Sequence, residues 1–187
     1  MSIPIYTTLN DLPTPVTAGG TQTFTDVYGE QWVAKPGVYS GAWRKARDVL
    51  HAVIYRSAAL ANMPTGAGTF IAYDTALRDV YGMFSSNGFL IPAAGWYRIQ
   101  GTANTNCTAT GQYCTAWIYG GPSAGTQLGI GNNVTVLAGG GMSLRAFVET
   151  ACAVNDLVKM QAAQPQGNAG QVGQSNMRLE ISYIGAG

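Results

Sequence analysis

Charge is scarce in this sequence. Only 10% of its residues are Asp, Glu, Lys or Arg, against a usual ~25%. Ten basic and nine acidic residues leave a formal net charge of +1. That balance gives neither the basic footprint of nucleic-acid binding nor a polybasic membrane signal. No apolar run approaches the ~20 residues of a membrane span, so membrane insertion is not expected. Histidine occurs once, as His51. A two-histidine metal site is therefore excluded, and any histidine triad or cysteine–histidine dyad would have to use His51. It sits in the apolar segment VLHAVIYR and reads as structural. The three cysteines, Cys107, Cys114 and Cys152, form no CxxC pair and fall short of a four-ligand zinc site. A hairpin turning at Ala109-Thr110-Gly111 would set Cys107 opposite Cys114 and permit a disulfide in an oxidising compartment. Buried free thiols are the plainer reading. The first ten residues, MSIPIYTTLN, lack the basic start and apolar stretch of a signal peptide. A cytosolic origin is the expectation, compatible with a particle assembled in the cytosol and released by lysis.

Catalytic signatures are missing as well. After His51 the acidic residues are Asp74, Asp79, Glu149, Asp156 and Glu180, with no DxD or ExxE cluster. Asp156 follows Asn155 just before a strand, which is a turn-capping position. The glycine-rich run from Ala138 to Met142 is followed by no GK[ST], and the one GxSxG, Gly121-Pro122-Ser123-Ala124-Gly125, lies in the turn that ends the YCTAWIYG strand with no helix pattern after it. We expect no enzyme activity, no cofactor and no metal. Function should reside in shape, assembly and surface.

What the chain has in excess is glycine, 25 of 187 residues, nearly twice the usual ~7%. With ten Tyr and four Trp, this favours many short strands and tight turns over a helical bundle. Residues 1–20 carry Pro4, Pro13 and Pro15 and read as an extended arm. Residues 21–50 read as a small aromatic β-unit. In it TQTFTDV and QWVAK are strands, Tyr28-Gly29-Glu30 is a turn, and Pro36-Gly37 ends the second strand. Trp32, Tyr39 and Trp43 fall close together there, as a small core or an exposed sticky patch. Arg44, Lys45 and Arg47 form the one basic cluster, a solvated face partly offset by Glu30 and Asp48. WRKARDVLHAV is read as strand or loop despite its helix propensity.

From residue 51 to 187 short strands alternate with turns. Asn87-Gly88 between apolar residues signals a hairpin, and ALRDVYG reads as a connection. WYRIQGTANT, YCTAWIYG, MSLRAFVETACAV and DLVKMQAAQ are strands. MRLEISYIG closes the chain with Met177, Leu179, Ile181 and Tyr183 on one face. Turn signals every ~8–12 residues mark a sandwich or barrel. The fold class is all-β, a jelly-roll sandwich of about eight strands preceded by the β-unit and the arm. No charged residue lies between Arg98 and Arg145. An uncharged exterior is costly in solubility unless covered, and copies of the same chain are the simplest cover.

The second half resembles the trimeric jelly-roll domain of complement-type globular heads and tumour-necrosis-factor-like ligands. In MFSSNGFLIPAAGWYRIQG the matching positions are Phe84, Gly88, Phe89, Pro92, Gly95 and Tyr97. NDLVKMQA supplies Asp156 and Val158, and MRLEISYIG resembles the closing strand. The first half resembles small β-units of bacteriophage tail-fibre, appendage and head-surface proteins. It does so through Gly29-Glu30-Gln31-Trp32, Gly37 and Gly41-Ala42-Trp43-Arg44, with Pro36-Gly37-Val38-Tyr39-Ser40 departing from the pattern. These resemblances imply a homotrimer, with residues 51–187 displayed outward and residues 21–50 docking it through Trp32, Tyr39, Trp43 and Arg44. The function they imply is a non-enzymatic virion structural protein that decorates the head, with the major capsid protein as partner. A minor tail or tail-fibre protein, partnered by tail proteins and binding a host-surface receptor, is the alternative. A depolymerising enzyme would need a carboxylate pair that the sequence does not supply.

Overall fold

The computed structural model describes residues 22–26, 29–34, 43–57, 68–79, 81–85, 87–106, 113–131, 134–135, 141–163, 171–172 and 177–186. In chain order the elements are β1 (Gln22–Thr25), β2 (Gln31–Ala34), β3 (Arg44–Lys45), a single helical turn α1 (Ala46–Val49), β4 (His51–Tyr55), β5 (Thr69–Phe70), β6 (Thr75–Asp79), β7 (Phe84–Ser85) and β8 (Gly88–Leu90). There follow β9 (Gly95–Asn106), β10 (Tyr113–Gly120), β11 (Thr126–Ile130), β12 (Val134–Thr135), β13 (Gly141–Cys152), β14 (Leu157–Ala163), β15 (Gln171–Val172) and β16 (Arg178–Gly185).

Two antiparallel sheets face each other. One runs β13-β9-β16-β4-β6, with β15 also on β9. The other runs β11-β10-β14-β8-β7, with β12 on β10 and β5 on β14. Period-two alternation builds the space between them. Tyr97, Ile99 and Ala103 of β9, Ala116 and Ile118 of β10, Val158 and Met160 of β14 and Leu179 and Ile181 of β16 are all fully buried. This is a jelly-roll sandwich. The two-residue strand β15 leaves no alternation in the sequence, so a strand forms there that the pattern does not suggest.

The N-terminal sheet β1-β2-β3 is joined to the sandwich. Val33, Ala46 and Leu50 belong to the same buried cluster as the sandwich core. The Tyr81 hydroxyl donates to the Val33 carbonyl at 3.5 Å, and the Tyr183 amide donates to the Leu50 carbonyl at 2.9 Å. The arm, residues 1–20, lies outside the described residues.

Several sequence expectations change in three dimensions. The segment ALRDVYG is not a mere connection. Thr75–Asp79 forms edge strand β6 on β4, and its exposed pattern hid it because an edge strand gains from backbone pairing without apolar alternation. The reading of WRKARDVLHAV as strand or loop misses the turn of α1. No hairpin joins β9 to β10, because β9 pairs with β13 and β16 while β10 pairs with β11 and β14. The chain crosses between sheets there, and Cys107 with the Ala109-Thr110-Gly111 turn lies outside the described residues. Cys114 and Cys152 are both buried.

The Asn87-Gly88 hairpin forms with its turn one residue earlier. Phe84 pairs with Phe89 and Ser85 with Gly88, so Gly88 is a strand residue. Asn87 takes the left-handed φ of 66°, which Asn tolerates. Gly88 serves a different need: a Cβ there would lie 2.2 Å from the Val158 carbonyl oxygen of β14. Gly88→Ala should therefore lower the unfolding free energy by about 1–3 kcal/mol in a urea titration. Asn87→Gly should stay within about 1 kcal/mol of the parent.

Candidate functional site

The motif residues of the jelly-roll resemblance gather at one corner of the sandwich. Phe89 is buried between Phe84 of β7 and Val158 of β14. After β8 the chain bends through the half-buried Pro92 and enters β9 at Gly95. A Cβ on Gly95 would sit 2.5 Å from the Tyr183 ring. Tyr97 closes this bend by donating its hydroxyl to the Ala93 carbonyl at 2.7 Å, and its ring meets Tyr183 edge-on at 5.3 Å. Burial foremost, then the neighbouring Cys152 and Tyr183, push the Tyr97 pKa far up. Asp156 accepts the Ala153 amide at 2.8 Å, and its carbonyl accepts the Ile91 amide at 2.9 Å. The corner is thus a folded junction of β8, β9, β13 and β14, with its hydrogen bonds turned inward. Cys152 pairs with Gly95 here, and burial followed by the charge of Asp156 pushes its thiol up to about 11, so it stays an unreactive thiol near neutrality.

The residues of the N-terminal unit face the other way. Phe24 and Trp32 are cross-strand partners, and Trp43 meets Phe24 edge-on at 6.1 Å. Trp32 donates its indole N–H to Asp26 at 3.0 Å and lies under Lys45 Nζ, 5.5 Å from the ring centre. Strand alternation sends Val33 into the core and leaves these three half-buried rings on the outer side. Arg44 is exposed and donates to the Trp43 carbonyl at 3.1 Å. Glu30 pairs with Lys45 at 3.7 Å and Arg47 at 3.4 Å, offsetting the basic cluster. Tyr39 lies outside the described residues.

Sequence reasoning missed the outer face of β9, β13 and β16. There a depression of about 260 Å³ is lined by Gln100, Thr102, Arg145, Phe147, Arg178 and Glu180. Glu180 is its hub. One carboxylate oxygen bonds His51 Nε2 at 3.0 Å, and the other bonds Gln100 Nε2 at 3.0 Å and Arg178 at 2.8 Å. Arg98 and Glu149 pair beside it at 2.7 Å. The only sequence signal was the alternation Arg178-x-Glu180. The partners came from register, which sets Glu180 opposite Gln100 and Val53. Among the described residues no three His, Cys, Asp or Glu side chains gather to hold a metal ion.

Partial burial raises the Glu180 carboxyl, but the hydrogen bonds from His51 and Gln100 and the charge of Arg178 outweigh it and hold the pKa below the usual carboxylate value. A depressed folded-state pKa contributes stability above the unfolded value of about 4.3 and loses it as pH falls through the folded one. Thermal melts should therefore show a Tm that falls on acidification below about pH 4.3. Glu180→Gln should melt lower at neutral pH and lose part of that acid dependence.

No family model matches the sequence, and no curated protein matches it. Solved structures do match. The fold is similar to the globular domain of zebrafish complement 1qA protein, at 11% identity over 73% of this chain and 98% of that chain, with a TM-score of 0.53. It is similar also to Eiger TNF from S. frugiperda, at 9% identity over 73% of this chain and 93% of that one, with a TM-score of 0.52. At such identities the likeness is one of fold, and the chain has the jelly-roll architecture of the complement and tumour-necrosis-factor domains.

Proposed function

We propose that this chain is a non-enzymatic bacteriophage virion protein, a homotrimer that decorates the head as a minor capsid protein. The observation that carries the assembly is the pairing of an apolar edge with a broad open face on one sandwich. A threefold ring needs heterologous contact, one patch of each copy on a different patch of the next. At the edge, β11 lies tight against β13, where a Cβ on Gly131 would fall 2.2 Å from the Arg145 carbonyl oxygen. This edge carries Ile130, 63% exposed, and Phe147 of the open face, 54% exposed, lies beside it. The open face is the outer side of β9 and β16, with Trp96 44% exposed at one end. Ile130 belongs to the charge-free stretch between Arg98 and Arg145, which favours burial against another copy. The family resemblance implies the same threefold arrangement.

Docking falls to residues 21–50, whose Phe24, Trp32 and Trp43 rings stand on the outer side of the N-terminal sheet. Residues 1–20 extend that contact along the major capsid protein, and residues 51–187 face outward. This division, the phage context and the virion location are part of the proposal.

Light scattering on the purified chain should give three times the 19.6 kDa protomer mass. Ile130→Asp should release monomers that keep the parent's circular dichroism. A monomeric parent would sink the trimer. Copy number per purified particle, by quantitative peptide mass spectrometry against the main shell protein, tests the location. Hundreds of copies are expected of a head protein. A few to a few tens would move the chain to the tail and make receptor binding its role, and absence from particles would end the virion reading.

A further inference from the structure

A second cleft, of about 220 Å³, opens where the N-terminal unit meets the end of β16. Glu30 and Gln31 line it from the β1–β2 hairpin, Arg47 from α1, and Tyr183 and Ile184 from β16. Two of these residues hold buried polar atoms with no hydrogen-bond partner, Gln31 Oε1 and the Tyr183 hydroxyl. Tyr183 as a whole is 4% exposed. Native proteins rarely leave such atoms unmet, and here two from separate elements border the same cleft.

Their chemistry defines what would meet them. An amide oxygen only accepts, and a phenol both donates and accepts. Burial, then the nearby charge of Glu30, raise the Tyr183 pKa, so the hydroxyl keeps its proton at neutral pH. An apolar ligand would leave both atoms unmet. A deprotonated anion has no hydrogen to give the Gln31 oxygen, and a cation would face Arg47, which with Lys45 already neutralises Glu30 at 3.4 and 3.7 Å. Hydroxyl groups suit either atom, donating to the amide oxygen and donating to or accepting from the phenol. At ~30 Å³ per water, the space holds about seven waters, the bulk of one sugar ring, and Ile184 adds an apolar wall for a C–H face.

We propose that this cleft binds a neutral, hydroxyl-rich ligand of single-ring size, a monosaccharide or the terminal sugar of a glycan, held by Gln31 and Tyr183. Neither atom touches solvent, so binding requires the lining of the cleft to open to them. The cleft shares no residue with the depression on the β9–β13–β16 face.

The test titrates the isotope-labelled full chain with glucose, galactose and N-acetylglucosamine to about 50 mM, following amide resonances by NMR. Saturable shifts are expected at Gln31, Tyr183 and Ile184 with at least one sugar. Tyr183→Phe should weaken binding roughly tenfold, as should Gln31→Leu. Because Tyr183→Phe removes an unmet polar atom, its sugar-free Tm should equal or exceed the parent's, which also shows that the variant folds. No saturable shift with any of the three sugars would overturn the proposal. So would shifts of full strength in Tyr183→Phe. A lowered Tm in that variant with no sugar response would mark an ordered water as the only occupant.

Discussion

The structure depends on the pairing of β9. Its twelve residues bond β13 along one side and β16 along the other, so three strands share one register. That register fixes two faces at once, because side chains alternate with a period of two. Tyr97, Ile99 and Ala103 point into the sandwich and are fully buried. Arg98, Gln100 and Thr102 point out, where they meet Glu149 and Glu180. A slip of one residue would turn Arg98 into the core and bring the phenol of Tyr97 to the surface. The core and the polar outer face are therefore two consequences of one ladder.

This coupling explains why the outer face is ordered as well as exposed. Glu180 accepts three hydrogen bonds from three different strands: from His51 on β4, Gln100 on β9 and Arg178 on its own strand β16. A carboxylate held by several partners gains more than isolated surface pairs give. The single histidine thus ends as a half-buried partner of Glu180, with a structural role. The same face leaves Phe147 and Trp96 exposed beside the edge strand β11.

The end of the sandwich is built on a different principle. Tyr97 and Tyr183 stack edge-on, Gly95 leaves room for the Tyr183 ring, and Asp156 ties the β13–β14 turn to the bend after β8. The N-terminal unit leans on this end through Val33 and Leu50. Good packing at the junction coexists there with poor polar satisfaction, since Gln31 and Tyr183 border one cleft and each retains an unpaired polar atom. Proteins tolerate such a conflict where packing forces it or where a ligand removes it.

The sequence by itself determined the class of fold and most of its long strands. Alternation is a local property, and the burial of Met177, Leu179, Ile181 and Tyr183 on one face follows from their spacing alone. It determined the scarcity of charge and the single histidine, and with them the chemistry left open to the chain. Edge strand β6 and the two-residue strand β15 were not legible, because an edge or a two-residue strand is made by its partner's backbone. The sheet change between β9 and β10 was hidden for a related reason: a turn signal marks where the chain bends but not which strand it meets next. The hub at Glu180 and the cleft at Gln31 and Tyr183 were decided by tertiary structure only. Each joins residues far apart in the chain, and only the register of strands in space brings their polar atoms to the same place.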